Sequence, residues 1–171
     1  LNCEFTPISN GADFDEIGSI SQQEIDRFKA KFKIPKHQKI ASYIGGEHKF
    51  DLAFTKKLTT LARTELPETM FVLAGNLPTY EAPNVVFTGI ISNAQANVLY
   101  ASSAVGLTLK NTRNNDFIYN SVPLKFLQYA AAKTPIVSFP IKWSVDEGFE
   151  NITHIELSLI HISEPTRQKP I

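Results

Sequence analysis

The chain has 171 residues, of which 43% are hydrophobic, and its 17 lysines and arginines balance 17 aspartates and glutamates. This length is enough for one sizeable core, so we expect one domain; the zero net charge gives no long-range field that favours nucleic acid or an anionic membrane. Cys3 is the only cysteine, which excludes an internal disulfide and a multi-cysteine metal site, and fits a reducing compartment, so we predict a cytoplasmic location.

The amino-terminal region carries signals for a turn and a surface helix. Asn10-Gly11 predicts a turn, and Ser21 with Glu24 three residues later predicts a capping box. No charged start followed by an apolar stretch marks a signal peptide, and no apolar run reaches the roughly 18 residues of a membrane-spanning helix. Because the chain begins at Leu1 without an initiator methionine, we expect it to be a fragment.

From residue 39 onward, short apolar runs alternate with helical patterns. Strands are predicted at residues 39–46, 70–76, 84–90, 105–110 and 134–140. Helices are predicted between them at residues 50–63, 92–103 and 123–133. Strands that are apolar throughout are covered on both faces, and their alternation with helices requires parallel pairing through crossovers. The pattern therefore predicts an α/β fold with a doubly wound, Rossmann-like parallel sheet.

The predicted helix at 123–133 has two unlike faces when it is projected at about 100° per residue. One face holds Leu124, Leu127 and Ala131, and is extended by Phe126 and Ala130. The other face holds Lys125, Gln128 and Tyr129. We predict that the first face packs on the sheet and that the second is free to meet a ligand.

The start of this helix has the features of an anion site. Pro123 suits the first helical turn, which places Lys125 in that turn. A cation there opposes the helix dipole by about 0.3 to 1 kcal/mol unless an anion joins it. A phosphate would satisfy the N–H groups, the dipole and the ammonium together, and Gln128 offers the donor and acceptor that a ribose diol needs. A solvated face with a chance lysine stays open as the alternative.

Four stretches of the sequence carry a resemblance to a known family. They are "ISNGAD" (8–13), "YIGGEHKFD" (43–51), "VVFTGIISNAQANVLYASSAVGLTL" (85–109) and "VPLKFLQYAAAKTPIVSFP" (122–140). Together they resemble the C-terminal, nucleotide-sugar-binding half of a GT-B glycosyltransferase, most like bacterial enzymes of the teichuronic-acid and xanthan glucuronosyltransferase type. The last stretch is similar to the family's x-P-x-K-[LF]-[LF]-[EQ]-Y-x-A-x-x-x-P-V-V signature.

The resemblance implies roles for residues of the signature and of the first strand end. In the family, the lysine of the signature contacts the donor diphosphate and the Glu or Gln three residues later binds the ribose, which implies these roles for Lys125 and Gln128. Gly45 and Gly46 follow the first strand where such enzymes let the backbone approach the donor diphosphate or the interdomain cleft. Glycine there permits a positive φ and close contact. A tight turn without a ligand is the alternative.

The resemblance also implies roles for two loops. Thr88 and Gly89 end the third strand where the family's backbone often reads the base edge, and a plain turn is the alternative. Many GT-B enzymes carry two glutamates eight residues apart, and Asn120 stands at the first of these positions. Asn120 and Ser121 are therefore candidates for contact with the donor sugar or diphosphate. Arg113, in the loop after the fourth strand, could reach the same groups, and a solvated polar loop is the alternative. No catalytic residue is assigned within this chain, and no metal ligand is expected.

The final fifteen residues have a separate character. The stretch "LSLIHISEPTRQKPI" (157–171) resembles the in-frame translation of a transposon-type sequencing-library adapter, and an ordinary amphipathic tail is the alternative. We therefore expect the natural sequence to end near Glu156. Residues 1–20 are interpreted as an interdomain strand and turn, 21–156 as a nucleotide-sugar-binding domain incomplete at its C-terminus, and 157–171 as a non-native tail.

The expected function follows from the resemblance. The chain is interpreted as the donor-binding fragment of a metal-independent glycosyltransferase, which uses a nucleotide diphosphate sugar such as a UDP-sugar as substrate and needs no cofactor. A missing N-terminal half would supply the catalytic base and bind a glycan or lipid-linked acceptor, with peripheral association at the inner face of the membrane. The alternatives are a sugar-nucleotide 2-epimerase fragment and a non-catalytic α/β domain that binds a nucleotide or a protein partner. No G-x-G-x-x-G or G-x-x-x-x-G-K-[ST] motif is present, and no nucleic-acid partner is expected.

Overall fold

The computed structural model describes residues 11–108, 123–146 and 152–154, and these residues form one parallel sheet with helices on both faces. The strands are β1 (Lys39–Ile44), β2 (Thr69–Ala74), β3 (Val85–Gly89), β4 (Val105–Thr108), β5 (Ile136–Ser138) and β6 (Ile152–His154). Every pair is parallel, in the order β3-β2-β1-β4-β5-β6. The predicted doubly wound fold is confirmed. The five predicted strands are present, with bounds that differ from the predicted ones by at most two residues; residues 109 and 110 of the fourth lie outside the described residues, and β6 was not predicted.

Side-chain caps stand at the first turns of the first four helices. They are α1 (Phe14–Gly18), α2 (Gln22–Lys31), α3 (Leu52–Glu65), α4 (Asn93–Ser102), α5 (Leu124–Ala131) and α6 (Lys142–Asp146), with a 3₁₀ turn at Glu47–Lys49. The predicted capping box of Ser21 and Glu24 is present at α2, and Ser92 forms another with Gln95 at α4. No helix within the described ranges is long and apolar enough to cross a membrane.

Apolar clusters cover both faces of the sheet. Successive residues of a strand point to opposite faces, so Tyr43 of β1 joins a cluster with Phe50, Phe54 and Phe139 on the α3 side. On the opposite face, Ile40 packs with residues of α2 and α4, and a further cluster forms beneath α5. Strands β1, β2 and β4 are therefore buried from both sides, as the apolar runs predicted, whereas the edge strand β3 is only partly buried.

The strand order reverses beside β1. The chain moves outward from β1 through β2 to β3, and then returns through α4 to place β4 on the other side of β1. In an open α/β sheet the connections on the two sides of such a point leave a crevice outside the carboxyl ends of the strands, and ligands bind there. The crevice between the ends of β1 and β4 is therefore the first place to look for a site.

The orientation of α5 differs from the prediction. Tyr129, predicted to face a ligand or solvent, is fully buried, whereas Leu124, predicted to face the sheet, is 48% exposed. The cause is Gly106 of β4, which has no side chain and leaves space for the Tyr129 ring. The Tyr129 hydroxyl donates to the backbone oxygen of Ser42 at 2.9 Å and lies 2.8 Å from its Oγ. The projection of α5 alone contained neither partner, so it assigned the tyrosine to the wrong face.

This packing makes Gly106 sensitive to the smallest substitution. A Cβ added at Gly106 would stand 2.6 Å from the Tyr129 ring, and overpacking of this kind typically destabilises a core by about 1 to 3 kcal/mol. We expect Gly106→Ala to lower the free energy of unfolding by that amount in urea titrations. Gly18→Ala is the matched control, because a Cβ there meets no atom within 4 Å. Equal stability of the two variants would contradict the packing described.

Candidate functional site

Helix α5 begins at the carboxyl edge of the sheet. It connects β4 to β5, which are parallel neighbours, so it runs antiparallel to them and its first turn lies where β4 ends. Pro123 is the N-cap, with φ −68° and ψ 127°. No side chain of the described residues caps this end of the helix, and the first turn of α5 contains no acidic residue. Lys125, the second helical residue, is the charged group of this turn, so its predicted position in the first turn is confirmed.

The Lys125 side chain reaches from α5 across the end of β1. Its Nζ lies 4.0 Å from the centroid of the Tyr43 ring, and 3.2 Å from the point where a Cβ on Gly45 would stand. Tyr43 belongs to the cluster on the α3 side of the sheet, whereas α5 lies on the opposite side. The ammonium therefore occupies the point where the strand order reverses.

Within the described part of the chain, the ammonium has an aromatic neighbour but no anionic one. The ion pairs among the described residues join Lys36 to Asp26, Lys39 to Glu68 and Lys142 to Asp146, and none involves Lys125. Burial, and secondly the charge of Lys49, lower the pKa of Lys125 to about 7. A buried cation without a counter-ion is unfavourable, so an anion that enters this crevice gains a preformed partner.

Tyr43 links the ammonium to the loop that follows β1. Its hydroxyl donates to the backbone oxygen of Lys49 at 2.8 Å and to that of Gly46 at 3.3 Å. Burial raises the pKa of Tyr43 above its ordinary value, so it stays a neutral donor and its ring offers only a cation–π contact to Lys125. The side chain thus holds the 3₁₀ turn beside Lys125 without neutralising the ammonium.

Gly75, which the sequence analysis missed, shapes the same edge. It follows β2 with φ +129°, and a Cβ there would collide with the carbonyl oxygen of Gly45, so this close approach of two strand ends requires glycine. Gly45 and Gly46 do not use the positive φ that glycine permits; the positive values among the described glycines belong to Gly75 and Gly89. The signal was available: Gly75 directly follows a buried strand, as Gly45 does.

The other predicted site residues in the described part lie near this edge or on α5. Gly89 ends β3 with φ +68°, and the Thr88 hydroxyl donates to the Gly89 carbonyl oxygen at 3.0 Å. Strand β3 is two positions from β1, a separation of about 10 Å at the usual strand spacing. Gln128 is partly buried one helical turn after Lys125. The predicted contacts of Asn120, Ser121 and Arg113 lie outside the described residues.

An open cleft of about 860 Å³ adjoins the site. It shares Gly46 with the strand end and is lined further by Glu47, His48, Phe50, Leu52, Asn76 and Pro78. A smaller cavity of about 360 Å³ lies apart from these strand ends, between α1, α2 and α4. No cluster of three or more His, Cys, Asp or Glu side chains that could hold a metal ion is found within residues 11–108, 123–146 and 152–154. Of these two cavities, the cleft beside Gly46 is the one that adjoins the end of β1.

Comparison with known proteins supports the fold. No family model and no curated protein matches the sequence. The crystal structure of WaaG, a glycosyltransferase involved in lipopolysaccharide biosynthesis, matches with a TM-score of 0.59 at 14% identity, over 85% of this chain and 41% of that one. The crystal structure of the GtfA/B complex matches with a TM-score of 0.50 at 15% identity, over 73% and 28% of the two chains.

A further solved structure is AviGT4, a glycosyltransferase involved in avilamycin A biosynthesis, with a TM-score of 0.44 at 17% identity over 68% of this chain and 38% of that one. The chain thus spans at most 41% of the length of these proteins. At such identities the likeness to WaaG and to the GtfA/B complex establishes a shared fold. The described residues have a Rossmann-like α/β fold of the kind that occurs in glycosyltransferases.

The unpaired ammonium predicts a pH-dependent stability difference. The pKa of Lys125 is about 7 in the folded chain against an ordinary value of 10.5, so the unfolded chain binds more protons between these values and the parent gains stability as pH rises through this window. We expect Lys125→Met to be more stable than the parent by at least ~1 kcal/mol at pH 6.5, and this advantage to vanish towards pH 10.5.

Urea unfolding at several pH values measures this difference. Lys57→Met is the matched control, since Lys57 is exposed on α3 and its removal should change stability equally little at every pH. A Lys125→Met variant that is less stable than the parent at pH 6.5 would show that the ammonium already has a partner.

Proposed function

We propose that this chain is the donor-binding half of a GT-B glycosyltransferase, and that the crevice at Lys125 holds the diphosphate of a nucleotide sugar. The observation that carries this proposal is the partly buried ammonium of Lys125, which has no counter-ion among the described residues and lies 4.0 Å from the Tyr43 ring. A diphosphate there would meet the ammonium and the N-terminus of α5 together. The fold shared with WaaG supports the same conclusion.

The glycines at the strand ends suit the approach of a diphosphate. Gly45 leaves the space beside Lys125 Nζ without a side chain, and Gly75 lets the ends of β1 and β2 come close. We assign Gly45 and Gly46 to the diphosphate, Gln128 to the ribose, and the backbone at Thr88 and Gly89 to the base. The separation of about 10 Å between the ends of β1 and β3 leaves room for a nucleoside between them. Asn120, Ser121 and Arg113 remain predictions for the donor sugar or diphosphate.

The chemistry proposed is displacement at the anomeric carbon of the donor sugar. Negative charge develops on the departing diphosphate, and a preformed positive site stabilises it most where water is excluded. Lys125 and the dipole of α5 supply that charge without a metal ion. We assign the catalytic base and the acceptor site to a second half of the protein, in keeping with the 41% of WaaG that the chain spans.

Diphosphate recognition is tested by titrating the 171-residue chain with UDP, GDP, uridine and guanosine in a calorimeter. We expect one diphosphate to bind at least about tenfold more tightly than its nucleoside, since hydrogen bonds to charged groups contribute about 1.5 to 3 kcal/mol. Lys125→Ala should remove most of that gain, and Lys57→Ala should leave it unchanged. Equal affinities for nucleoside and diphosphate, or full binding by Lys125→Ala, would refute the proposed site.

The pH dependence of binding tests whether Lys125 must be charged. Because the pKa of Lys125 is about 7 in the free chain, its amine is mostly neutral at higher pH and must take up a proton before it pairs with an anion. The affinity for a sugar nucleotide should therefore fall by up to about tenfold per pH unit above pH 7. Its diphosphate is a diester and does not titrate in this range.

Lys125→Arg provides the comparison for this measurement, since arginine stays charged throughout. The variant should lose the pH dependence while it retains a preference for the diphosphate over the nucleoside. A parent affinity that stays constant from pH 7 to pH 9 would exclude Lys125 as the titrating group of the site.

These measurements also separate the alternative functions. A non-catalytic domain that recognises only a nucleoside or a protein partner predicts no gain from the diphosphate. A sugar-nucleotide 2-epimerase would share the diphosphate preference, and the longer protein would then interconvert nucleotide sugars without an acceptor. Transfer to a glycan or lipid-linked acceptor by the longer protein supports the glycosyltransferase.

A further inference from the structure

Thr108 has a buried hydroxyl without a partner. It is the last residue of β4, it is 7% exposed, and its Oγ1 makes no hydrogen bond within the described part of the chain. Buried hydroxyls in folded proteins are nearly always hydrogen-bonded, because an unpaired one loses its contacts with water and gains nothing in return. An unpaired hydroxyl at the carboxyl end of a central strand therefore needs an explanation.

The packing of α5 on β4 defines where Thr108 lies relative to that helix. Side chains alternate along a strand, so Thr108 lies on the same face as Gly106, over which the Tyr129 ring packs. Two residues along β4 advance about 6.6 Å from Gly106 to Thr108. The four residues of α5 from Tyr129 back to Lys125 advance about 6 Å along the helix axis.

Because α5 runs antiparallel to β4, both of these steps lead towards the carboxyl edge. Thr108 thus lies beneath the first turn of α5, on the side from which Lys125 extends. A hydroxyl and an ammonium, both without polar partners in the described residues, therefore lie towards the start of one helix, which no side chain of those residues caps. Two donors at the same end of a helix suit a ligand with several acceptor oxygens.

We propose that the Thr108 hydroxyl donates a hydrogen bond to an oxygen of the ligand's diphosphate, so that Thr108 is a binding residue of the site beside Lys125. This inference rests on the proposed function and deepens it. It adds a neutral donor whose hydrogen bond would fix the position of the phosphoryl oxygen. A phosphoryl oxygen accepts from several donors at once, and so satisfies the hydroxyl while it pairs with the ammonium.

Another unpaired buried atom provides the control. The Gln38 Oε1 also lacks a hydrogen-bond partner in the described residues, but Gln38 directly precedes β1, at the amino edge of the sheet. It is therefore separated from the site by the length of the strand. Substitution of Gln38 removes an unpaired polar group of the same kind without touching the crevice.

The test compares Thr108→Val, Thr108→Ser and Gln38→Met in the 171-residue chain, with the diphosphate that the parent binds and with its nucleoside. Valine has nearly the shape of threonine but no hydroxyl. We expect Thr108→Val to bind the diphosphate about tenfold more weakly and the nucleoside unchanged, and Thr108→Ser to stay within about twofold of the parent for both. Gln38→Met should bind both as the parent does.

Thermal unfolding of the free variants provides an independent readout. The unfolding midpoint of Thr108→Val should rise above that of the parent, because an unpaired hydroxyl has been removed. A fall in the midpoint would show that the hydroxyl has a partner within the protein, and would overturn the inference.

The binding measurements distinguish failure of the role proposed for Thr108 from failure of the proposed function. If the parent prefers the diphosphate and Lys125→Ala abolishes this preference, while Thr108→Val binds like the parent, the role of Thr108 is overturned and the proposed function stands. If the parent binds diphosphate and nucleoside equally, the proposed function fails, and the role of Thr108 fails with it.

Discussion

The packing of Tyr129 on Gly106 determines where α5 lies, and the candidate site depends on that position. The glycine lets the helix approach β4 to the thickness of an aromatic ring, and the Tyr129 hydroxyl is held by Ser42 of β1. One turn earlier in the same helix, Lys125 is thereby carried over the end of β1. A contact in the core thus sets the place of a charge at the edge of the sheet.

The surroundings of that charge leave it available. Tyr43 attracts the ammonium through its ring while its own hydroxyl is engaged with the backbone of the following loop. An aromatic face fixes a cation without neutralising it, whereas a carboxylate would occupy it. Thr108, at the end of β4, has a buried hydroxyl without a hydrogen-bond partner among the described residues. On the inference made above, a bound anion would be the partner of both the ammonium and this hydroxyl.

The sequence predicted the features that depend on local patterns. Strands that are apolar throughout required cover on both faces, and Ser21 marked a helix start because Glu24, its partner in the capping box, lies three residues later. The face of α5 could not be read in this way, since its partners Gly106 and Ser42 are distant in sequence. The unpaired state of Thr108 and the positive φ of Gly75 likewise depend on neighbours from other strands, and β6 is too short, at three residues, to show a period.

The partly buried Lys125 creates a conflict between the stability of the chain and its affinity for an anion. A partly buried ammonium without a counter-ion among the described residues weakens the free chain, so the residue that would bind an anion is one that selection for stability alone would discard. A screen of this chain for thermal stability would enrich substitutions of Lys125. The selected variants would be more stable than the parent but would no longer bind an anion in the crevice. Selection for thermal stability would therefore remove the lysine at position 125, whereas selection for anion binding would retain it.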